Sequence, residues 1–383
     1  VLHTGLEHEG RSVERACREE VTPRPKRPKS LPMSQLPRAT IHLSNIVANW
    51  RALDGLHAGA TTAAVVKADA YGLGAVPVAR ALSRAGCATF FVAYLEEGLA
   101  LRKALGLGSR IFVLNGPTRK EMSAYVAAGL TAVLSSPDHV KAWSSAPRGT
   151  SALHFDTGMN RLGLKNEMLG TSLTALQKLQ PVLVMSHLAC ADETGHKMNA
   201  AQRSAFDDIA AAFPDTPASL ANSAGCYLGK DFGYDLTRPG LARYGGSRPP
   251  KGLRISPGLT LDATILSVFD GILGDTVGYG ATRTLEQDTQ LATVGIGYAD
   301  GLLRSGSNAF LAYLDGVPCP VVGRISMDLT TIDVSKAQDK AKAGARVEFI
   351  GEHAKLEDQA ARAGTLGYEL LTGLSNRVER VYA

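Results

Sequence analysis

Residues 63–72, Ala-Ala-Val-Val-Lys-Ala-Asp-Ala-Tyr-Gly, decide the fold. Four small or β-branched apolar residues lead to Lys67, and a short segment that ends in glycine follows it. A short apolar run of this kind is typical of a parallel strand that is buried on both faces. Seven comparable runs follow it along the chain: Thr89–Tyr94, Arg110–Leu114, Thr131–Leu134, Ala152–Phe155, Pro181–His187, Ser219–Asn222 and Thr237–Leu241.

Helix-like segments lie between most of these runs, among them Glu96–Leu105, Lys120–Ala127 and Ala200–Phe213. The alternation of strand and helix predicts parallel strands that are joined by helical crossovers. Eight such units favour a closed (β/α)8 barrel of the TIM type over an open sheet. We therefore predict an α/β fold in which residues 39–257 form the barrel.

The sequence pattern changes after Pro257, where turn signals such as Asp315-Gly316 separate short strand-like runs. The predicted strands are Leu259–Phe269, Leu291–Tyr298, Phe310–Leu314, Val321–Ser326 and Arg346–Gly351. Only Leu356–Thr372 has a helical pattern. Residues 258–383 are therefore predicted to form a second, mostly β C-terminal domain.

Residues 1–38 differ in composition from the rest of the chain. They contain five prolines, and eight Lys/Arg against five Glu, which predicts a basic, disordered extension. The remaining 345 residues carry only +2 of the chain's net charge of +5. The folded part therefore lacks the concentrated basic face that binding to nucleic acid requires.

The overall composition, with 45% hydrophobic and 20% charged residues in a chain of 383, is that of an enzyme with a large core. No stretch approaches the roughly 20 apolar residues that a membrane span needs, and no apolar signal segment precedes Pro37. The five cysteines are scattered and form no Cys-x-x-Cys pair. This pattern indicates free thiols, no metal site and a cytoplasmic location.

Polar residues stand where four of the predicted barrel strands end. In chain order they are Lys67, Ser186-His187, Asn222-Ser223 and Arg238-Pro239-Gly240. Because the carboxyl ends of barrel strands meet at one mouth, we expect these residues to share a site. Desolvation at the end of a buried strand lowers the pKa of a lysine amine, which suits Lys67 to bond covalently with a carbonyl group.

These strand ends, together with four further motifs, resemble the alanine racemase family of barrel-type pyridoxal-phosphate enzymes. The further motifs are Asp156–Gly163 (DTGMNRLG), Gly278–Thr282 (GYGAT), Ile296–Gly301 (IGYADG) and Gly323–Asp328 (GRISMD). The resemblance extends from about residue 39 to the C-terminus. It implies an isomerase that interconverts L-alanine and D-alanine.

The resemblance also implies how the reaction is divided between two chains. Lys67 would hold pyridoxal phosphate as an imine and exchange the Cα proton of the substrate on one face. Tyr279, supplied by the second subunit of a homodimer, would exchange it on the other face. An arginine at position 238 cannot protonate the ring nitrogen, which favours racemisation over side reactions.

The remaining site residues are implied by the same resemblance. The expected cofactor contacts, besides Lys67, are Tyr71, His187, Asn222, Ser223, Arg238 and the backbone of Gly240 and Leu241. The expected substrate contacts are Arg161, Met327 and Tyr298, the last of these at the entrance.

Three positions depart from the family pattern. His154 replaces a lysine that, often carbamylated, orients the arginine equivalent to Arg161, so that arginine needs another anion or the imidazole itself. Leu73 replaces a common histidine. Asn376 stands where a tyrosine often bonds the phosphate, and the smaller side chain predicts some activity on serine.

Two other functions fit parts of the sequence. A barrel decarboxylase of basic amino acids would share the cofactor, but such enzymes place a glutamate where this chain has Arg238. A non-catalytic carrier of pyridoxal phosphate would typically lack the second domain, which here holds Tyr279 in its motif.

Overall fold

The computed structural model describes residues 36–145 and 149–383, so the predicted extension lies almost entirely outside the described residues. Seven strands pair in parallel, each with the next along the chain, and form one continuous sheet. These strands are β3 (Ala64–Val65), β4 (Thr89–Val92), β5 (Arg110–Val113), β6 (Thr131–Leu134), β7 (Ser151–His154), β8 (Val184–Met185) and β9 (Ala218–Ser219).

The sheet closes on itself through two short strands, β2 (Thr61–Thr62) and β10 (Leu236–Thr237), which pair in parallel. β2 and β3 are one strand interrupted at Ala63, whose N–H donates to the carbonyl of Thr237 at 2.9 Å. At the other edge of the sheet, the N–H of Asp235 donates to the carbonyl of Ala218 at 3.1 Å and joins β10 to β9. Eight strands therefore form a closed barrel, and the predicted architecture is confirmed.

Helices cover the outside of the barrel, as the crossover pattern predicts. They are α1 (Leu43–Asp54), α3 (Ala75–Arg84), α4 (Leu95–Leu105), α5 (Met122–Ala127), α6 (Pro137–Trp143), α7 (Glu167–Gln177) and α8 (Lys197–Ala212). One further helical turn, α2 (Lys67–Tyr71), follows the first barrel strand directly. Four consecutive residues of α2, from Ala68 to Tyr71, have φ between 50° and 60°, so this turn is left-handed.

The last third of the chain is built around β11 (Leu259–Gly271), a strand of 13 residues. The strands that follow are β12 (Thr276–Val277), β13 (Arg283–Thr284), β14 (Thr289–Val294), β15 (Leu311–Leu314), β16 (Val317–Pro320), β17 (Thr330–Asp333), β18 (Arg346–Ile350) and β19 (Glu379–Tyr382). Two short helices, α9 (Leu356–Arg362) and α10 (Gly367–Thr372), replace the single predicted helix. The predicted mostly β character is confirmed.

The first strand, β1 (Arg38–Ile41), belongs to this second sheet. It lies between β11, to which it is antiparallel, and β19, to which it is parallel. Residues 39–41 of the predicted barrel segment are therefore placed in the other sheet. The alternating burial of β1 fits a strand whose buried face is completed by partners from distant parts of the sequence.

Within the described ranges, no helix combines the length and apolar character needed to cross a membrane. Cys87, Cys190, Cys226 and Cys319 are free thiols, and Cys17 lies outside the described residues. The same part of the chain contains no group of three His, Cys, Asp or Glu side chains that could hold a metal ion.

Candidate active site

A cavity of about 600 Å³ opens among the carboxyl ends of the barrel strands. Eight of the residues predicted from the sequence line it: Lys67, Tyr71, Arg161, His187, Asn222, Ser223, Arg238 and Gly240. Phe91, stacked on Phe112 at 4.6 Å between ring centroids, forms part of its apolar wall. The expectation that these strand ends share one site is thus met by the geometry.

Lys67 enters the cavity from the end of the first barrel strand. Burial is the main reason that the pKa of its amine is lowered, and the positive charge of Arg161 lowers it further. Glu97 opposes this shift. The carboxylate of Glu97 also accepts N–H bonds from Ala68 at 2.6 Å and from Ala93 at 2.7 Å. The same acid therefore holds the backbone next to Lys67 and limits the loss of the amine's proton.

Arg238 is fully surrounded by protein at the end of the eighth strand. Its guanidinium donates to the hydroxyl of Ser219 and to the carbonyl oxygens of Ser186 and Leu220. Burial lowers the pKa of Arg238 to about 10, so the side chain keeps its proton at neutral pH. It places a fixed cation in the cavity wall.

The two histidines of the cavity are held in the neutral form. Burial and the charge of Arg238 are the main causes that lower the pKa of His187 well below its usual value. Burial, together with Arg238 and Arg161, lowers the pKa of His154 to about 4. The Nδ1 of His154 lies 3.5 Å from the hydroxyl of Ser135. Histidine at position 154 therefore contributes a neutral ring and no compensating charge.

Arg161 lies on the loop that follows β7, and this loop is organised by Asp156. One carboxylate oxygen of Asp156 accepts the N–H groups of Gly158 and Asn160, each at 3.0 Å, and the other pairs with Lys165 at 2.7 Å. Among residues 36–145 and 149–383, no carboxylate lies within ion-pair distance of Arg161. The guanidinium is exposed and lines the cavity.

One end of the cavity is suited to a phosphate group. Ser223 Oγ accepts the N–H of Gly240 at 2.8 Å and the N–H of Ala242 at 3.2 Å. A Cβ on Gly240 would collide with the hydroxyl of Tyr71, so only glycine allows this close approach. Backbone N–H groups and hydroxyls gathered in this way are partners for an anion. Leu241 follows directly, at the start of the short 3-10 helix Leu241–Tyr244.

Tyr368 is a cavity residue that the sequence did not reveal. It lies on α10, and its ring is 5.7 Å from that of Tyr71. Asn376, where a phosphate-binding tyrosine is common in the family, is exposed and does not line the cavity. No local pattern marks Tyr368, because only the packing of α10 against the barrel brings it to the site.

Besides Leu241, which adjoins the lining residue Gly240, three predicted residues do not line this cavity. Tyr279, Tyr298 and Met327 are 71%, 43% and 53% exposed. They lie on loops that contact one another: Tyr298 donates its N–H to the carbonyl of Ser326 at 3.0 Å. Arg324, from the same loop as Met327, lies close to Gly278 and Gly280, the residues before and after Tyr279. The chain therefore presents these three residues together on its surface, and not to Lys67 of the same chain.

The chemistry of the cavity fits pyridoxal phosphate. It combines an amine of lowered pKa, a buried cation that keeps its proton, neutral rings and a group of anion donors at one end. The amine can bond to an aldehyde, the cation and the neutral rings can contact a pyridine ring, and the anion donors can bind a phosphate.

Comparisons with known proteins agree with this geometry. Residues 41–248 match the family model described as the alanine racemase N-terminal domain, and residues 258–382 match the alanine racemase C-terminal domain. An alanine racemase of Acidiphilium cryptum is 46% identical over 353 residues, covering 90% of this chain and 98% of that protein. A catabolic alanine racemase of Agrobacterium fabrum is 43% identical, covering 90% of this chain and 91% of that protein.

Solved structures give the same result. The crystal structure of alanine racemase from Bartonella henselae with covalently bound pyridoxal phosphate has a TM-score of 0.85 and 36% identity, covering 91% of this chain and 100% of that chain. The biosynthetic enzyme from Pseudomonas aeruginosa has a TM-score of 0.84 and 32% identity over the same shares of the two chains.

Proposed function

This chain belongs to the alanine racemase family, and from that premise we propose that it racemises alanine with two bases: Lys67 of one chain exchanges the Cα proton on one face, and Tyr279 of a second copy exchanges it on the other. The chain is a pyridoxal-phosphate-dependent alanine racemase. The cofactor supplies an aldehyde that bonds to an amine and a ring that withdraws electrons from the Cα–H bond. The observation that carries the proposal is Lys67, with its lowered pKa, among the other predicted residues of one cavity.

Each residue of the cavity has a proposed task. Lys67 holds the cofactor through Nζ and, when free, takes or returns the Cα proton on its own face of the substrate. Tyr71, Ser223 and the N–H groups of Gly240 and Leu241 hold the phosphate, with Asn222 beside them. His187 lies against the ring.

Arg238 is proposed to face the ring nitrogen. Its guanidinium keeps its proton, and a cation of this kind leaves the ring nitrogen unprotonated. A ring held in this form by Arg238 would withdraw electrons less strongly, which would favour return of a proton to Cα over other outcomes. A carboxylate at this position would favour a protonated ring instead, as in the decarboxylases.

The second base is proposed to come from another molecule. Racemisation requires an acid or base on each face of Cα, and Lys67 can serve one of the two faces. Tyr279 is exposed beside Tyr298 and Met327, so a homodimer can deliver the three residues together. In this proposal Met327 and Arg161 bind the substrate carboxylate, Tyr298 lines the entrance, and residues 258–383 are the domain that serves the partner.

The proposal is tested by separating proton exchange from inversion. Tyr279→Phe should keep the cofactor absorbance and exchange the Cα proton of one enantiomer with deuterium from solvent, but form almost none of the other enantiomer. Lys67→Ala should lose the absorbance near ~420 nm and the mass increase on borohydride reduction. Racemisation by Tyr279→Phe at the wild-type rate would refute the two-base assignment.

Activity on serine is a further part of the proposal. Asn376 is smaller than the tyrosine common at this position, and it adjoins Arg377, which pairs with Asp300 and Asp328 of the loops that carry Tyr298 and Met327. Asn376→Tyr should lower the rate on serine relative to that on alanine. An unchanged ratio would count against this part alone.

A further inference from the structure

Among the described residues, Arg243 is the largest side chain that is buried completely, and none of their carboxylates pairs with it. It is 0% exposed and lies in the 3-10 helix that begins just after Gly240. Its Nη2 donates to the carbonyl of Val65 at 2.5 Å and to the hydroxyl of Tyr244 at 3.1 Å. Its Nε and Nη1 find no hydrogen-bond partner among residues 36–145 and 149–383. Within the part of the chain that the structure describes, no carboxylate is within ion-pair distance of it.

This buried charge lies close behind one wall of the cavity. The Cζ of Arg243 is 4.9 Å from the ring centroid of Tyr244, and that ring is 5.1 Å from the ring of Tyr71. Tyr71 and Val65 line the cavity at the end where Ser223 and Gly240 gather anion donors. Burial raises the pKa of the Tyr71 phenol, and the charge of Arg243 opposes that rise.

A buried cation without a partner is costly unless an anion compensates it. The phosphate of the cofactor carries close to two negative charges at neutral pH. Inside a protein, charges interact over longer distances than in water, because the medium is less polarisable. We propose that Arg243 is a positioning residue that selects the phosphorylated cofactor, because its charge is balanced by the phosphate across Tyr244 and Tyr71. This inference rests on the proposed placement of the phosphate beside Tyr71 and Ser223.

A purely structural role is the competing explanation. The bond from Arg243 to the carbonyl of Val65 braces the strand that presents Lys67, and its loss would disturb the site whatever the ligand. The two roles differ in ligand dependence. Loss of a structural hydrogen bond should weaken binding of pyridoxal phosphate and of pyridoxal alike. Loss of a charge should weaken binding of the phosphorylated ligand alone.

The test titrates the apoprotein with pyridoxal phosphate and with pyridoxal, using the absorbance of the covalent product to obtain Kd for each. Arg243→Gln keeps an amide donor for the Val65 carbonyl but removes the charge. It should raise the Kd for pyridoxal phosphate about tenfold or more and change the Kd for pyridoxal by less than about twofold. Arg243→Lys keeps the charge and should retain most of the selectivity. Arg203→Gln removes a half-buried arginine that pairs with Asp207 and Asp231 and should change neither Kd.

Equal weakening of both ligands in Arg243→Gln, or no weakening of either, would overturn the inference. If that variant does not fold, Arg243→Lys decides: retained preference for the phosphorylated ligand supports the inference, and lost preference overturns it. A wild-type protein that bound both ligands equally would instead refute the proposed phosphate site itself.

Discussion

At the scale of single residues, the reactivity of Lys67 is set by charges of opposite sign. Burial and Arg161 favour the neutral amine, whereas Glu97 favours the ammonium form. The neutral amine is the form that bonds covalently to an aldehyde. A lowered pKa makes this form available at lower pH. Burial and these two neighbouring charges therefore set the pH at which Lys67 can bond to an aldehyde.

Neutralising Arg161 or Glu97 should shift the pH dependence of covalent linking to the cofactor in opposite directions. Arg161→Gln removes a charge that lowers the pKa of Lys67, so the pKa rises and the half-maximal rate of covalent linking moves to higher pH. Glu97→Gln removes a charge that raises the pKa, so the half-maximal rate moves to lower pH. Stopped-flow absorbance of apoprotein mixed with pyridoxal phosphate measures both, and Arg161→Lys is the control that keeps the charge. Shifts of the same sign would contradict this electrostatic account.

His154 should make the fold sensitive to acid. Its pKa is about 4 in the folded chain against an ordinary 6.5, so the unfolded chain binds the proton first and stability falls as pH drops from about 6.5 to 4. Between pH 7.5 and 5 this one ring costs about 2 kcal/mol of unfolding free energy. Denaturant unfolding of His154→Gln should show a correspondingly smaller loss. The exposed His353→Gln serves as control, and an unchanged pH dependence in His154→Gln would refute the assignment.

Residue-level prediction from the sequence succeeded in placing groups that stand at strand ends, such as Lys67 and Arg238. It succeeded because a barrel brings the ends of all its strands to one mouth, so local motifs are sufficient. Tyr368 was missed because its neighbours in the sequence are those of an ordinary helix. The orphaned N–H groups of Arg243 are likewise a property of three-dimensional packing that no motif contains.

At the scale of elements, the left-handed turn α2 fixes the direction in which the chain leaves the first strand. Non-glycine residues in this conformation cost roughly 1–2 kcal/mol each, and four follow one another here. Side-chain acceptors compensate part of the cost: Glu97 accepts the N–H of Ala68, and Asp69 accepts the N–H of Ala75 at 2.6 Å. The turn thereby places Tyr71 in the cavity five residues after Val66.

Replacing Ala68 with glycine should stabilise the fold, although glycine normally destabilises right-handed helices. Ala68 is exposed, so its substitution removes little packing, and glycine adopts φ near 50° without strain. We expect Ala68→Gly to raise the free energy of unfolding of the apoprotein by about 1 kcal/mol. Ala100→Gly, at an exposed position of the right-handed helix α4, should lower it by about the same amount. Urea unfolding measures both, and destabilisation by Ala68→Gly would contradict the strain argument.

Strand prediction failed where glycine and the functional loops interrupt the pattern. Val321–Ser326 was predicted as a strand, but it lies mostly in a loop where Gly323 has φ of 78° and packs against the carbonyl of Val277. The strands Arg38–Ile41 and Thr330–Asp333 were not predicted. Both are only four residues long, and their pairing partners come from distant parts of the sequence.

At the scale of the whole molecule, the cavity and the Tyr279 surface are two halves of one proposed site. Arg377 stabilises the second half, because its guanidinium pairs with Asp300 at 3.1 Å and with Asp328 at 2.7 Å. These two acids belong to the loops that carry Tyr298 and Met327. The domain organisation predicted from the sequence could not show this, since Arg377 lies near the C-terminus, far in the sequence from both acids.

Mixing two inactive variants tests the shared site most directly. Lys67→Ala and Tyr279→Phe are each expected to be inactive, and they are dissociated, mixed and reassociated at equal concentration. If Tyr279 serves the partner, each mixed dimer regains one complete site, and activity should return to about a quarter of the wild-type value. A mixture in which racemisation stays at the level of the separate variants, although mixed dimers are shown to form, would contradict the account.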